Sequence, residues 1–196
     1  MKLLNYPPGA TPISPEELDG LKLKHISTRG ELDRWEHENI QDALLWLAKR
    51  RKGEVLTEQF ICKLHEKMFS KVWKWAGRFR RTEKNIGVPW VKIPVELRKL
   101  LDDTQTWIEF KAYPPDEIAY RFHHRLVWIH LFHNGNGRHS RLMADIILTE
   151  LLKQSAFSWG GEDLTNASDI RAKYIHALKE ADNYNYSKLE EFVRLL

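Results

Sequence analysis

This chain of 196 residues has little cysteine, no long apolar run and no charge of one dominant sign. A single cysteine, Cys62, excludes an internal disulfide framework, and its position on an apolar helical stripe favours packing in the core. No apolar segment is long enough to span a bilayer, and the first residues lack the charged-then-apolar pattern of a secretory signal. We therefore expect a cytoplasmic protein with no membrane partner.

The charge pattern argues against a dedicated nucleic-acid binder. Lysine and arginine total 31 against 27 acidic residues, and the two signs are interspersed, which leaves a net charge of +4. A nucleic-acid partner is therefore disfavoured, although it stays a weaker alternative. Eight tryptophans and a hydrophobic fraction of 42% predict instead a folded domain with a substantial core.

Proline and periodicity divide the chain. Four of the eight prolines fall in residues 1–20, so we predict an extended amino-terminal arm over 1–27 and a single helical domain over 28–196. Apolar spacing predicts a long helix within 28–52, stopped by Gly53, and Thr57 is a suitable cap for the next helix. The helical period is lost over residues 73–93, where loops and a short hairpin at 84–93 are expected.

Further helices are predicted from Pro94, from Asp116 as a cap, and over 168–181 and 187–195. The helix expected from Asp116 leads into the run HLFHNGNGRHSR at 130–141. Apolar residues at helical spacing stand before and after this run, which indicates a helix, a tight turn and a second helix. Glycines at 135 and 137 permit positive φ, so consecutive N–H groups can point at one centre. The start of the second helix also favours an anion, which predicts a polyphosphate site beside a histidine.

The run resembles the signature of Fic-domain proteins, H-x-F-x-(D/E)-G-N-G-R-x-x-R. Weaker similarity in GRFR at 77–80 and in residues 174–182 extends the resemblance over roughly residues 55–195. It implies an all-α, mainly helical fold with a short β-hairpin flap at 84–93. The matching positions are His130, Phe132, Gly135, Asn136, Gly137, Arg138 and Arg141.

Fic enzymes commonly transfer AMP from ATP to a hydroxyl side chain of a target protein. The resemblance makes His130 the catalytic base, a role that suits a group with a pKa near ~6.5. It also implies that Arg138 holds the phosphate chain and that Arg141 reaches the γ-phosphate, tasks suited to planar guanidinium forks. The N–H groups of three residues would stabilise the developing charge: Gly135, Asn136 and Gly137.

Asn134 departs from the signature, because the family has an acid at this position that binds Mg²⁺. An amide oxygen can still be a ligand of Mg²⁺ but brings no negative charge. Weak metal binding, a different donor or loss of turnover are all open. The alternative to an enzyme is thus a nucleotide-responsive interaction module, of a toxin–antitoxin-like kind, that no longer turns over. The fold alone does not determine which group is transferred, since Fic-like folds also host phosphate and phosphocholine transfer.

An inhibitory helix is a second expectation from the resemblance. Many Fic proteins carry (S/T)-x-x-x-E-(G/N), whose glutamate pairs with the last arginine of the signature. Glu38 and Asn39 match the end of that pattern, but Arg34 stands at its Ser/Thr position. A Glu38–Arg141 pair would block the γ-phosphate site. The other interpretation is a solvated glutamate on an amphipathic helix.

Five of the nine histidines lie between residues 123 and 139, yet no zinc motif accompanies them. We expect no transition-metal site, and we expect His133 and His139 to face solvent or the rim of a cleft. For the flap at 84–93 two interpretations stay open: a strand edge that aligns a target segment, or an ordinary covering hairpin. An antitoxin-like regulator and a homo-oligomer also remain open as partners.

Overall fold

Seven α-helices form the framework of the residues that this computed structural model describes, which are 18–161, 164 and 169–195. Within that part of the chain the regular pairing of strands is limited to one isolated bridge, between Leu21 and Trp73. A mainly helical fold is therefore confirmed. The helices are α1 (Arg29–Lys49), α2 (Glu58–Phe69), α3 (Ile93–Glu109), α4 (Pro115–Ile129), α5 (Asn136–Ile146), α6 (Asp169–Ala181) and α7 (Ser187–Val193).

Side-chain capping hydrogen bonds fix the first residues of α1 and α2. Thr28 accepts a hydrogen bond from the N–H of Glu31 through its hydroxyl at 3.2 Å, and the Glu31 carboxylate accepts from the N–H of Thr28 at 3.1 Å. This reciprocal capping box satisfies two N–H groups that would otherwise have no partner. Thr57 caps α2 as predicted, by accepting from the N–H of Phe60 at 3.1 Å.

The start of α4 differs from the expectation that Asp116 caps it. Pro114 is the cap residue, and Pro115 occupies the first turn, where its missing N–H costs nothing. Asp116 instead pairs with Arg194 beyond α7, through two hydrogen bonds of 2.7 and 2.8 Å. This contact fastens the carboxy-terminal end of the described chain to the helix that leads into the motif.

The β-hairpin predicted at 84–93 does not form. Residues 85–88 are bends, Trp90–Lys92 is a single 3-10 turn, and α3 begins at Ile93. The hairpin is absent because the buried Arg80 guanidinium donates hydrogen bonds to the carbonyls of Thr82 and Val88. Those carbonyls therefore cannot accept hydrogen bonds from a neighbouring strand, and Pro89 has no N–H to donate to one. The segment is a loop covering one end of α4.

The core consists of two apolar clusters that meet at α4 and α5. The larger one unites α1 to α4 and includes Phe132, which is fully buried and anchors the motif loop. The smaller one joins α4 and α5 to α6 and α7 around Tyr174 and Phe192. The motif loop between α4 and α5 therefore lies at the junction of both clusters, where packing fixes it from two sides.

Residues 1–17 of the predicted arm lie outside the described residues. The described part of the arm packs on the helical domain: the backbone N–H of Lys22 donates to the carbonyl of Val72 at 2.8 Å, and the backbone N–H of Lys74 donates to that of Gly20 at 2.9 Å. Leu21 is buried between these two bonds. In the described residues, each helix is too short or too polar to cross a bilayer.

Candidate active site

Two left-handed residues shape the turn between α4 and α5. His130 ends α4 with a φ of 58°, and Gly135 precedes α5 with a φ of 78°. A Cβ on Gly135 would lie 2.5 Å from the Phe69 ring, so both the backbone and the neighbouring side chain require glycine here. The N–H groups at the start of α5, which have no partner within the helix, therefore come directly after this turn.

Asn136 holds the turn closed. Its amide oxygen accepts from the N–H of Phe132 at 2.9 Å, and its amide nitrogen donates to the carbonyl of Phe132 at 2.8 Å. Both ends of the side chain are therefore used within the protein. Asn136 can contribute its backbone N–H to a ligand, whereas its side chain has a structural role that the signature alone does not reveal.

Arg80 positions the predicted base and is the residue whose role the sequence reasoning missed. Its side chain is fully buried, and its Nε donates to the carbonyl of His130 at 2.7 Å. The same guanidinium binds the carbonyls of Thr82 and Val88, so it connects the 84–93 loop to the residue that carries the imidazole. The GRFR similarity pointed at this segment, but only the fold shows what the arginine contacts.

One cavity of about 460 Å³ brings the predicted site residues together. His130, residues 134–138 and Arg141 all line it, together with Ile86 and Gly87 of the 84–93 loop. One face of α6 forms the opposite wall. That wall runs from Arg171 along α6 to Asp182, the residue just after the helix, and at 1.5 Å per residue it is roughly 16 Å long.

The two ends of the cavity differ in charge. Arg171 lies at one end of the α6 face, whereas Asp182 at the other end accepts from the His124 ring at 2.9 Å. Ile175 and Leu178 form the apolar stretch between them. The cavity thus has a cationic end beside the motif turn and an apolar section that leads away from it.

The signature arginines are held by different partners. Arg138 donates from Nη2 to a carboxylate oxygen of Glu36 at 2.6 Å, and its guanidinium carbon lies 4.9 Å from the centre of the Phe69 ring. Arg141 lies over Tyr174 of α6, 5.4 Å from the ring centre. Cation–π contacts of this kind fix a guanidinium without removing its charge.

The predicted Glu38–Arg141 pair is not present, and Glu36 holds the other arginine instead. Glu38 is exposed and does not line the cavity. Two residues along an α-helix turn a side chain by about 200°, so Glu36 and Glu38 cannot face the same neighbour. Glu36 is fully buried, and its second carboxylate oxygen accepts from the Trp73 indole at 2.6 Å.

Two buried histidines, His65 and His139, lie next to the motif turn on the side of the core. His65 donates from Nε2 to the carbonyl of Asn134 at 3.0 Å and accepts from the N–H of Gly77 at its Nδ1, which fixes the neutral tautomer. Burial first, and then the charge of His139, lower the pKa of His65 well below its usual value. His139 is also buried, with one ring nitrogen 3.0 Å from the carbonyl of Ile61. The expectation of a solvent-facing His139 was therefore wrong.

Asn134 has an amide group that the protein leaves available. Its backbone carbonyl is taken by His65, but its Nδ2 is buried and has no hydrogen-bond partner in the described part of the chain. The amide can therefore turn either end toward the cavity that it lines. In that same part of the chain, His, Cys, Asp and Glu side chains do not group in threes that could hold an ion.

Comparison with known proteins agrees with this geometry. The model of the Fic/DOC family matches residues 55–148. Curated relatives include the protein adenylyltransferase Fic of Drosophila persimilis, 30% identical over 146 residues, and that of Aedes aegypti, 31% identical over 101 residues. The matches cover 72% and 50% of this chain, but they cover only 26% and 20% of those proteins.

Solved structures show the same fold at low identity. The BepC effector protein of Bartonella tribocorum, with bound AMPPNP, matches 92% of this chain and 97% of its own with a TM-score of 0.68 and 16% identity. A Fic domain of a Bartonella quintana effector, with bound ADP, matches 85% and 84% with a TM-score of 0.60 and 19% identity.

Proposed function

We propose that this chain, a member of the Fic/DOC family through residues 55–148, transfers AMP from ATP to a Ser, Thr or Tyr hydroxyl of a target protein. One observation carries the proposal. His130, the first residues of α5 and both signature arginines all line a single cavity. AMPPNP and ADP in neighbours of this fold support a nucleotide as the ligand.

His130 is the base in the proposed reaction. Its ring accepts the proton of the target hydroxyl as the hydroxyl oxygen attacks the α-phosphorus of ATP. The new bond joins that oxygen to the α-phosphorus, the bond from the α-phosphorus to the bridging oxygen breaks, and pyrophosphate leaves. The Arg80 contact to the His130 carbonyl keeps the base in its left-handed position throughout.

The turn supplies the charge stabilisation. The N–H groups of Gly135, Asn136 and Gly137 lie at the start of α5, where the helix dipole favours the developing negative charge. Arg138 and Arg141 stand next along the same helix and would bind the phosphates that leave. The target hydroxyl would reach His130 past Ile86 and Gly87, so the 84–93 loop is where we place the target protein.

Mg²⁺ fits this site through a single protein ligand. Asn134 would hold the ion through its amide oxygen, and its amide is not locked by the described residues. When bound, the ion would neutralise phosphate charge. Because the amide brings no charge of its own, we expect this site to bind Mg²⁺ more weakly than one with a carboxylate.

We also propose that α1 restrains the enzyme, through Glu36 in place of Glu38. The carboxylate of Glu36 occupies part of the Arg138 guanidinium and opposes the approach of a phosphate to it. This corrected contact supports an autoinhibited resting state. An antitoxin-like regulator or a second copy could act on the same helix, but no described contact selects either.

The alternative function is a nucleotide-responsive module without turnover, favoured by the neutral Asn134. Incubation of the protein with ATP labelled at the α-phosphate, in a lysate from its own cells, separates the two. The enzyme leaves covalent label on protein, and His130→Ala removes that label while retaining affinity for ATP. His176→Ala serves as the control, since His176 is exposed on α6 and does not line the cavity. Label that persists in His130→Ala contradicts the mechanism, and ATP binding without label from the wild type favours the module.

A further inference from the structure

His123 of α4 and Tyr174 of α6 form a buried hydrogen bond beside the cavity, which Tyr174 lines and His123 does not. Nε2 of His123 lies 3.0 Å from the Tyr174 hydroxyl, and both side chains are almost entirely shielded from solvent. The Trp159 ring packs against the imidazole, with 4.6 Å between the ring centres. Neither member of the pair belongs to the Fic signature, and 51 positions separate them, so the contact exists only because α6 packs against α4.

Tyr174 connects this buried pair to Arg141. The Arg141 guanidinium lies over the Tyr174 ring, with its carbon 5.4 Å from the ring centre. Both side chains also approach Gly137 in the first turn of α5. A Cβ on Gly137 would lie 3.8 Å from Nη1 of Arg141 and 3.9 Å from the Tyr174 hydroxyl. The guanidinium and the hydroxyl are therefore both close to the start of the helix where we propose that the phosphates bind.

The hydrogen bonds of these three side chains run in one direction. Arginine has donors and no acceptor, so Arg141 donates to the hydroxyl oxygen. Burial raises the pKa of Tyr174, whereas the charge of Arg141 and its hydrogen bond to the hydroxyl act in the opposite direction. Burial, and after it the charge of Arg141, lower the pKa of His123 to about 3, so the imidazole is neutral and one ring nitrogen accepts. The hydroxyl proton is then directed at Nε2 of His123.

We propose that His123 is a positioning residue for Arg141 and acts through the Tyr174 hydroxyl. The inference rests on the proposed function and extends it to a side chain that does not line the cavity. While His123 accepts the hydroxyl proton, the hydroxyl oxygen faces Arg141 and keeps the guanidinium in one orientation. Without that acceptor the hydroxyl rotates, and Arg141 loses its orientation but not its charge. A donor that is already oriented loses less conformational freedom when a phosphate binds.

AMPPNP and AMP, titrated calorimetrically into the whole protein without Mg²⁺, test this role. His123→Phe keeps an aromatic ring beside Trp159 and removes the acceptor. It should weaken AMPPNP binding about fivefold, which is within the range that one hydrogen bond contributes. AMP does not extend to Arg141, so its affinity should change less than about twofold, whereas a general loss of folding would affect both ligands alike. Tyr174→Phe keeps the ring under Arg141, removes the hydroxyl and should have the same effect.

His123→Gln is the conservative variant, because its amide oxygen can accept the hydroxyl proton where Nε2 does now. It should recover most of the AMPPNP affinity that His123→Phe loses. Equal AMPPNP affinities in the Gln and Phe variants would count against the proposed role.

Tyr120→Phe is the matched control for Tyr174→Phe. Both variants remove a buried tyrosine hydroxyl from the same apolar cluster, but Tyr120 does not line the cavity. The control should leave the AMPPNP and AMP affinities unchanged. If Tyr120→Phe and Tyr174→Phe weaken AMPPNP binding equally, the hydroxyl of Tyr174 has no special part in it and the proposal is overturned.

A double-mutant cycle with Arg141→Gln shows whether His123 acts through Arg141. In that background His123→Phe should change the AMPPNP affinity less than about twofold, because the group that it positions is already absent. A further fivefold loss, on the order of one hydrogen bond, would mean that His123 affects the nucleotide by another route and would overturn the proposal.

Labelled ATP given to the wild type tests transfer separately from positioning. AMPPNP affinity that depends on His123 and Arg141 together, without any transfer, supports the positioning role and contradicts the proposed reaction. Transfer with AMPPNP binding unchanged in His123→Phe and Tyr174→Phe leaves the reaction standing and removes the positioning role. A wild type that binds AMPPNP no more tightly than AMP also removes it.

Discussion

The carboxylate of Glu36 lies 2.6 Å from Nη2 of Arg138, joining the first long helix to the phosphate-binding turn. The two residues are 102 positions apart, and Glu36 has no exposed surface at all. A buried carboxylate loses its hydration and so depends on its partners, which here are Arg138 and the Trp73 indole. Any motion of α1 therefore changes the orientation of an arginine in the candidate active site and the extent to which Glu36 neutralises its charge.

Replacing Glu36 should release the restraint that we propose for Arg138. Glu36→Gln keeps the side-chain length and can still accept from the Trp73 indole, but it removes the charge that competes with phosphate. We expect ATP affinity and the rate of label transfer to rise several-fold per folded protein. The free energy of unfolding should fall by about 1–3 kcal/mol, because a buried charged partner is lost.

Glu38→Gln is the matched control for that experiment. It removes the same charge from the same helix, two residues away, at an exposed position outside the cavity. Its transfer rate and stability should equal those of the wild type. If Glu36→Gln transfers no faster than Glu38→Gln, then the Glu36 contact serves the structure alone.

Asn134→Asp should restore a charged ligand for Mg²⁺. A carboxylate attracts a hard divalent ion more strongly than an amide, so we expect the protein–AMPPNP complex to bind Mg²⁺ about tenfold tighter, or 1.4 kcal/mol. Calorimetric titration of Mg²⁺ into that complex measures the effect without turnover. Asn183→Asp adds the same charge at an exposed residue that does not line the cavity and should change nothing. Equal Mg²⁺ affinity in both variants would remove Asn134 from the metal site.

Gly135→Ala should both strain and crowd the motif turn. A φ of 78° is unfavourable for alanine, and its Cβ would lie 2.5 Å from the Phe69 ring. Strain and overpacking together should lower the free energy of unfolding by about 2–5 kcal/mol and weaken ATP binding. Gly53→Ala, with no atom within 4 Å of its new Cβ, should stay within about 1 kcal/mol of the wild type. Urea denaturation compares the two variants.

Acid should destabilise the fold through four buried histidines. Burial is the largest cause that lowers the pKa of His139 to about 4, that of His123 to about 3, and those of His65 and His124 below their usual value. These rings stay neutral in the folded protein, while the unfolded chain takes up protons below about pH 6.5. The unfolded state therefore gains protons as the pH falls, and stability is lost between roughly pH 6 and pH 4.

One carboxyl acts in the opposite direction. Burial raises the pKa of Asp145 to about 6, so the folded protein holds a proton there that the unfolded chain releases, which adds stability as the pH falls. The proton on Asp145 offsets one of the four histidines, which leaves three. At about 1.4 kcal/mol per group the loss is at most roughly 4 kcal/mol per pH unit. Urea denaturation from pH 7 to pH 4.5 measures the slope. His139→Gln should lower it by about a third, and the exposed His37→Gln should not change it.

Local sequence signals were enough to predict the helical class and the motif turn. Apolar spacing, the Thr57 cap and the glycines of residues 130–141 are local signals, and each acts within a few residues of its own position. The positive φ of Gly135 and the resemblance to Fic proteins follow from the same short run. His130, Arg138 and Arg141 could thus be assigned to one site before any fold was known.

Which distant groups lie around that site depends on how the helices pack together. Whether Glu36 or Glu38 turns inward depends on how α1 packs against Trp73 and the motif turn, and the two-residue pattern at Glu38 carried no information about that packing. The 84–93 segment alternates like a hairpin, yet the buried Arg80 takes its carbonyls. Arg171 reaches the cavity because α6 packs across α4 and α5. Long-range packing and buried charge settled all three, since they depend on neighbours that lie far apart in the chain.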